Sequence, residues 1–191
     1  MSIAHREAIL QAATDVFARV GFKRAFVDEI ARRAGVAKGT VYLHFESKET
    51  LFAAAFQHVW SRVHDELTAT VRAAATPAGK LQAFCSGFRD QAVTVARTLH
   101  ASEEAALELI PLAKPYLGEV RNRQLALLEE ILTEGVASGD YVIREPHLIA
   151  VGLLGYLEAL VYSVSPAGPG SEALRSGTDE FVEVVQRGLA A

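Results

Sequence analysis

The 191-residue chain has little cysteine, with Cys85 its single thiol. One thiol excludes an internal disulfide framework and every zinc site that needs several cysteines. A lone thiol is typical of a reducing compartment, and charged side chains interrupt the first 24 residues, where a secretory signal needs an apolar core. We therefore expect a cytoplasmic protein in which Cys85 is a small buried apolar side chain.

Long apolar runs are also lacking. The longest candidate, Leu148–Val164, has 17 residues and contains Glu158, whereas a membrane-spanning helix needs about 20 apolar residues. Half of all residues (50%) are nevertheless hydrophobic, which is enough to bury a core. The sequence therefore predicts no membrane partner, and it predicts that this segment is a buried helix or an interface helix.

No motif for catalysis is present. The patterns G-x-S-x-G, G-x-G-x-x-G, H-E-x-x-H and the P-loop are all missing, so we expect no catalytic residue and no cofactor. His100 shares a helix face with Glu103 and lies near Glu104, which raises the possibility of a metal site. Because Ser102 is a good N-cap with both glutamates in the first turn that follows, helix capping is the preferred interpretation and no metal is expected.

Alternation with period two, which marks half-buried strands, is lacking as well. Apolar residues instead recur at helical spacing, as they do at Ile9, Ala13, Val16, Phe17 and Val20. Prolines, glycines and hydroxyl residues punctuate these stripes. They predict helix starts at Thr76-Pro77, Pro146 and Thr178, an end at Gly139, a break at Pro111 and Pro115, and a loop over Ser165–Gly177. The pattern predicts an all-α protein of about nine helices.

Charge is unevenly distributed. Residues 1–48 hold eight Lys and Arg against five Asp and Glu, whereas residues 49–191 hold eleven against eighteen. The basic N-terminal part, residues 1–48 (the head), and the acidic remainder (the body) predict that only the head binds a polyanion. From charge alone, a chance distribution explains this asymmetry about equally well.

Residues 27–45 read VDEIARRAGVAKGTVYLHF and predict a helix-turn-helix. Ile30 and Ala31 give the first short helix an apolar side, Gly35 supplies the turn, and Val41 and Phe45 face inward on the second helix. In this motif the second helix lies in the DNA major groove. An ordinary helical hairpin with a solvated basic face remains the alternative.

The outward residues of this segment suit DNA contact. Lys38 can reach phosphate or guanine, Gly39 permits close backbone approach, and Thr40 offers a hydroxyl and a methyl group to base edges. The remaining predicted contacts are with phosphate, from Tyr42, His44 and Lys48.

Many anchors in this region occur in the order of a known family. They are Ile9-Leu10, Phe17, Gly21-Phe22, Val27-Asp28-Glu29-Ile30-Ala31, Ala34-Gly35-Val36, Lys38-Gly39-Thr40-Val41-Tyr42, His44-Phe45 and Lys48-Glu49-Thr50-Leu51-Phe52. Residues 6–52 thus resemble the N-terminal DNA-binding domain of the tetracycline-repressor (TetR) family. The resemblance implies an all-helical homodimer with a helix-turn-helix domain at 1–48 and a ligand-binding and dimerisation domain at 49–191. It also implies repression that a small ligand relieves.

Three positions depart from the family pattern. Family members commonly carry Ser or Thr before the helix at Val27 and Ser before Lys38, where this chain has Ala25, Phe26 and Ala37. Loss of such caps costs about 0.5–2 kcal/mol each and places two hydroxyl contacts with DNA in doubt. These three departures favour one alternative function, that of a helical small-molecule-binding protein that has lost DNA binding. A transcriptional activator of the same family is the other alternative.

The body offers candidate effector residues at helical spacing, although plain core packing explains each of them singly. A pocket of this composition would take a small, largely apolar molecule. The aromatic candidates are Phe56, Trp60, Phe84 and Phe88, and the polar candidates are His64, Gln91, Asn122 and Gln124.

Two apolar segments are the candidates for a dimer interface. Leu148–Val164 contains Gly152 and Gly155, which permit close helix approach, and Phe181–Leu189 is the second segment. The resemblance implies that the two form a four-helix bundle with a second subunit, and packing within one subunit is the alternative.

Overall fold

The structure, a computed structural model, describes residues 3–100, 103–163 and 170–190. These ranges contain eight helices and no strand, which confirms the all-α class and comes close to the predicted number. The helices are α1 Ile3–Arg24, α2 Val27–Arg33, α3 Lys38–His44, α4 Lys48–Ala73, α5 Pro77–His100, α6 Glu103–Ser138, α7 Pro146–Ser163 and α8 Gly170–Leu189. Within the described ranges, no helix combines the length and hydropathy that a membrane crossing requires.

Several predicted helix ends are confirmed. The Thr76 hydroxyl accepts a hydrogen bond from the backbone N–H of Gly79 at 3.1 Å, as an N-cap does for the helix that opens at Pro77. Gly139 follows α6 with φ +81°, a left-handed conformation that favours glycine. Pro146 is the first residue of α7.

Two predicted boundaries are wrong. Pro111 and Pro115 lie inside the continuous 36-residue helix α6, because each proline removes only one hydrogen bond from a helix that keeps the others. Thr178 lies fully buried inside α8 rather than at its start. The preceding Glu172, Ala173 and Leu174 are good helix formers and carry the helix back to Gly170, through part of the predicted loop. Residues 165–169 of that loop fall outside the described ranges.

The chain divides by its contacts into two compact units, residues 1–62 with 97–118, and residues 63–96 with 119–191. The core of the first unit joins α1, α2, α3 and the start of α4. It buries Ile9, Val16 and Phe17 of the predicted α1 stripe together with Val41 and Phe45. The packing of α1 against α2 and α3 therefore fixes the orientation of the helix-turn-helix.

The core of the second unit draws on α4, α5, α6, α7 and α8, with Leu81, Phe84, Leu128 and Leu154 fully buried. Cys85 is buried in the same cluster, as predicted. Burial raises the pKa of the Cys85 thiol to about 12, so the thiol stays protonated and unreactive at neutral pH.

Both short helices of the helix-turn-helix lack a side-chain cap. Ala37 precedes α3 in an extended conformation, φ −70° and ψ 149°, and Phe26 precedes α2 in a similar one. Neither side chain makes a capping hydrogen bond. The backbone at position 37 already has the conformation in which a serine hydroxyl accepts from amides of the first turn.

We expect Ala37→Ser to raise the free energy of unfolding by about 0.5–2 kcal/mol, because it supplies the missing acceptor. Ala37→Val is the matched control, since it adds atoms at the same exposed position without a hydroxyl. Urea denaturation followed by circular dichroism measures both variants. Equal midpoints for the serine and valine variants would contradict the capping explanation.

Candidate DNA-binding and ligand-binding sites

The turn between α2 and α3 is built around Gly35, whose φ of +68° is the left-handed conformation that glycine accepts most readily. The next residue, Val36, donates its backbone N–H to the carbonyl of Ala31 at 3.0 Å. Beyond the turn, Val41 and Phe45 are buried. These contacts fix which side of α3 faces solvent.

The solvent-facing side of α3 carries most of the predicted DNA contacts. Lys38, Gly39 and Tyr42 are exposed, whereas Thr40 and His44 are half-buried. His44 is the last residue of α3 rather than part of the next helix. The structure therefore brings five of the six predicted contact residues together on one short helix.

The structure adds one residue that the sequence analysis missed. Leu43 is 71% exposed, an unusual state for leucine. Its position predicted this, because Leu43 stands two residues from Val41 and two from Phe45. At 100° per residue it points about 160° away from the buried side chain of Val41.

Acidic side chains of α2 neutralise part of the basic surface. Lys38 Nζ lies 2.8 Å from Asp28 Oδ2, and this contact raises the pKa of Lys38. Glu29 pairs with Arg19, which lowers the pKa of the Glu29 carboxyl, and Arg33 Nε lies 3.2 Å from the same carboxylate. Because of these ion pairs, less positive charge on residues 1–48 is available to attract DNA than the number of basic residues suggests.

Lys48, the first residue of α4, is anchored against the end of α1. Its Nζ donates to the carbonyl of Lys23 at 3.2 Å and lies 4.6 Å from the ring centroid of Phe22. Burial lowers the pKa of Lys48, and the carboxylates of Glu49 and Glu108 oppose this shift. The carbonyl takes one of three N–H donors, so two remain for a phosphate.

Two predicted effector residues meet in the first unit. The Phe56 and Trp60 rings lie 5.9 Å apart, and Tyr116 of α6 lies 5.8 Å from Phe56. All three side chains are half-buried. They form an aromatic cluster that a ligand can touch.

The other predicted effector residues belong to the second unit. Phe84 and Phe88 stack at 6.3 Å, with Phe84 fully buried in the core. Gln91 donates its side-chain amide to the carbonyl of Val63 at 2.9 Å. Gln124 is buried and Asn122 is exposed, so these two do not face the same environment.

His64 differs from these residues in having an unsatisfied atom. Its Nδ1 is buried and has no hydrogen-bond partner among the described residues, while Nε2 lies 3.5 Å from the Thr68 hydroxyl. Burial, with the positive charges of Arg123 and Arg72, lowers the pKa of His64, whereas Asp65 opposes this shift. The ring therefore offers a neutral hydrogen-bonding nitrogen that the described protein atoms leave unused.

Comparison with known proteins identifies the family of the N-terminal region. The family model for bacterial regulatory proteins of the tetR family matches residues 9–55. Over 139 residues the chain is 31% identical to the "Fatty acid metabolism regulator protein" of Bacillus subtilis (strain 168), covering 69% of this chain and 68% of that protein. It is 30% identical over 140 residues to the transcriptional repressor KstR2 of Mycolicibacterium smegmatis, with 72% and 68% covered.

The chain belongs to the tetR family of bacterial regulatory proteins. A solved tetR-family regulator from Mesorhizobium loti agrees with this assignment. It is 25% identical, covers 100% of both chains and gives a TM-score of 0.76. The family predicted from the sequence is confirmed, and the protein is a ligand-responsive transcriptional regulator.

The regulator exposes apolar residues on α7 and α8, the helices predicted to form its dimer interface. Tyr156 of α7 stacks on Phe181 of α8 with ring centroids 3.7 Å apart. The exposed apolar residues nearby in sequence are Leu148, Ile149 and Val184. Val164, the last residue of the predicted first segment, lies outside the described ranges.

The possible metal ligands His100, Glu103 and Glu104 have side chains that the structure does not describe. In the described part of the chain, no three His, Cys, Asp or Glu residues are grouped as a metal site requires.

Proposed function

We propose that the regulator is a homodimeric repressor that binds palindromic operator DNA through residues 1–48 and releases it when residues 49–191 bind a small, largely apolar molecule. One observation carries the DNA-binding part. The helix α3 buries Val41 and presents Lys38, Gly39 and Tyr42 to solvent, and Phe45 directly after the helix is also buried. A short helix held in this way is able to enter a major groove. Because operator DNA is chromosomal, the protein would act in the cytoplasm.

The proposed contacts divide into two kinds. Thr40, near the N-terminus of α3, reads a base edge, since that end of the recognition helix points into the groove. Lys48 and His44 bind phosphate, and Lys48 keeps two N–H donors for this purpose. Tyr42 also donates to phosphate, while Lys38 contributes less charge because Asp28 pairs with it.

Two exposed apolar helices support the homodimer. Val184 is 61% exposed on α8, and Tyr156 with Leu148 is exposed on α7. At Gly152 of α7 no atom lies within 4 Å of the place a Cβ would occupy, so a helix from a second subunit can approach closely. Apolar surface of this kind is typical of permanent interfaces between identical chains.

The proposed effector is a fatty-acid derivative with a long apolar chain. In the first unit, Phe56, Trp60 and Tyr116 supply aromatic surface for such a chain. A relative with 31% identity is named as a regulator of fatty acid metabolism, which supports the same class of molecule.

Two substitutions separate base recognition from phosphate attraction. We expect Thr40→Ala to relax base preference at one operator position in each half-site, at a cost of about 1–3 kcal/mol. Lys48→Met, which removes the ammonium group but keeps an unbranched apolar side chain, should weaken binding of all DNA equally and reduce the salt slope by about one unit for each phosphate that Lys48 neutralises. Affinity for operator and scrambled DNA at several salt concentrations measures both effects. Equal losses on both DNAs by the Thr40 variant would contradict its role as a reader.

A charged residue on the exposed face of α7 and α8 should separate the subunits. We expect Gly152→Glu combined with Val184→Glu to give folded monomers with weaker operator binding, because two linked heads are needed for two half-sites. Val142→Glu, at an exposed valine outside the helices, is the control. Analytical ultracentrifugation measures the mass of each variant. A double variant that stays dimeric would overturn the interface.

Substitution of His64 tests whether its buried nitrogen lowers the stability of the second unit. His64→Phe should leave the free energy of unfolding unchanged or higher, because it removes a buried nitrogen without a partner among the described residues. Urea denaturation followed by circular dichroism measures the change, and a clearly lower midpoint for His64→Phe would contradict this expectation.

Fluorescence of Trp60, the single tryptophan of the chain, reports binding of palmitate or palmitoyl-CoA to the aromatic cluster of the first unit. By linkage, a probe that lowers DNA affinity must bind the DNA-bound dimer more weakly by the same factor. Unchanged fluorescence and unchanged DNA affinity with both probes would contradict a fatty-acid effector. If the unliganded protein increases transcription from a promoter that carries the operator, this result would contradict the proposed role as a repressor.

A further inference from the structure

Leu43 occupies the centre of the outward face of the recognition helix. Val41 and Phe45, two residues to either side, are buried, so Leu43 points away from the protein core. With 71% of its surface exposed, it contributes little to the stability of the subunit. Its presence on this face is therefore not explained by the fold.

Gly39 lies one helical turn before Leu43 on the same side of α3. A Cβ added at Gly39 would meet no atom within 4 Å, and the backbone there does not need a positive φ. Neither packing nor conformation thus requires glycine. Because side chains on a helix lean toward its N-terminus, the Leu43 side chain leans toward the turn that contains Gly39. A step forms, with an apolar wall at Leu43 and an open floor at Gly39.

The surroundings of this step favour DNA over a protein partner. Lys38, Thr40 and Tyr42 flank it with groups that donate hydrogen bonds. One leucine among polar donors is too small an apolar patch for a stable protein interface. The step fits a single methyl group that projects into the DNA major groove beside hydrogen-bond acceptors. Thymine is the base that carries such a methyl group in the major groove.

We propose that Leu43 and Gly39 together bind the 5-methyl group of one thymine in each operator half-site. This inference rests on the proposed DNA-binding function. It assigns Leu43 a specificity-determining role through apolar contact, distinct from the hydrogen bond proposed for Thr40.

The test replaces one methyl group at a time. A duplex selected by the intact protein from a random library defines the operator, and each thymine is then replaced singly by uracil, which lacks only the 5-methyl group. We expect one thymine per half-site at which uracil lowers affinity roughly three- to fivefold, the effect of one buried methyl group. Leu43→Ala should bind thymine and uracil duplexes equally at that position, with an unaltered salt slope because every phosphate-binding side chain remains in place.

Gly39→Ala tests the same contact by adding a methyl group at the open floor of the step, whereas Leu43→Ala removes the apolar wall. The added methyl group has space in the free protein, so the variant should fold, yet it occupies the place of the thymine methyl. It should lose affinity for the thymine duplex and lose the discrimination against uracil. Val142→Ala, at a valine that is 72% exposed in the second unit, is the matched control and should discriminate like the unaltered protein.

The outcomes distinguish this inference from the function on which it rests. A selected operator with no sensitive thymine, or a Leu43→Ala variant that keeps full discrimination, overturns the role of Leu43 alone. A selection that enriches no sequence overturns sequence-specific DNA binding and the inference with it.

Discussion

The burial of Val41 and Phe45 is the interaction on which the DNA-facing surface depends. Both side chains pack in one cluster with Ile9, Val16 and Phe17 of α1. A helix of seven residues is too short to be stable alone, so α3 exists because this packing holds it. Since side chains within α3 follow one another at 100°, fixing Val41 toward the core also fixes the direction of every outward residue of the helix. The surface offered to DNA is thus a consequence of core packing.

Local pairing then decides how much of the positive charge on that surface is free. Asp28 engages Lys38 at 2.8 Å on the exposed face, where an ion pair contributes little to stability. Lys48 is in direct contact with a carbonyl and an aromatic ring instead, and the carboxylates of Glu49 and Glu108 act on its charge only through space. The two lysines look alike in the sequence. They differ in the structure, because Asp28 places a carboxylate against Lys38 while Lys48 is anchored by uncharged groups.

The sequence predicts well whatever depends on neighbours three or four residues apart. Periodicity placed Ile9, Val16 and Phe17 in the core, and Thr76 and Gly139 marked helix ends correctly. The helix-end signals were wrong at Pro111 and Thr178. There a long helix continues through a residue type that usually ends or begins a helix. Pairs far apart in the chain, such as Lys23 with Glu108, leave no local pattern. The same holds for the His64 nitrogen that has no partner among the described residues, which only the packed structure reveals.

Within the first unit, packed rings join the proposed effector residues to the proposed DNA contacts. Phe56 contacts Phe52 at 6.4 Å, Phe52 contacts Phe22 at 5.8 Å, and the ammonium group of Lys48 lies over Phe22. Because protein interiors are close-packed, a ring that moves displaces its neighbour instead of filling a void. A ligand that tilts Phe56 would therefore act on the ring beneath Lys48 without touching the helix-turn-helix. Such a connection transmits an effect only if the rings have two stable arrangements. The Gly21 kink beside Phe22, with φ 78° and ψ 175°, is where α1 departs from regular helix, so a movement of Phe22 there does not have to break a regular helical turn.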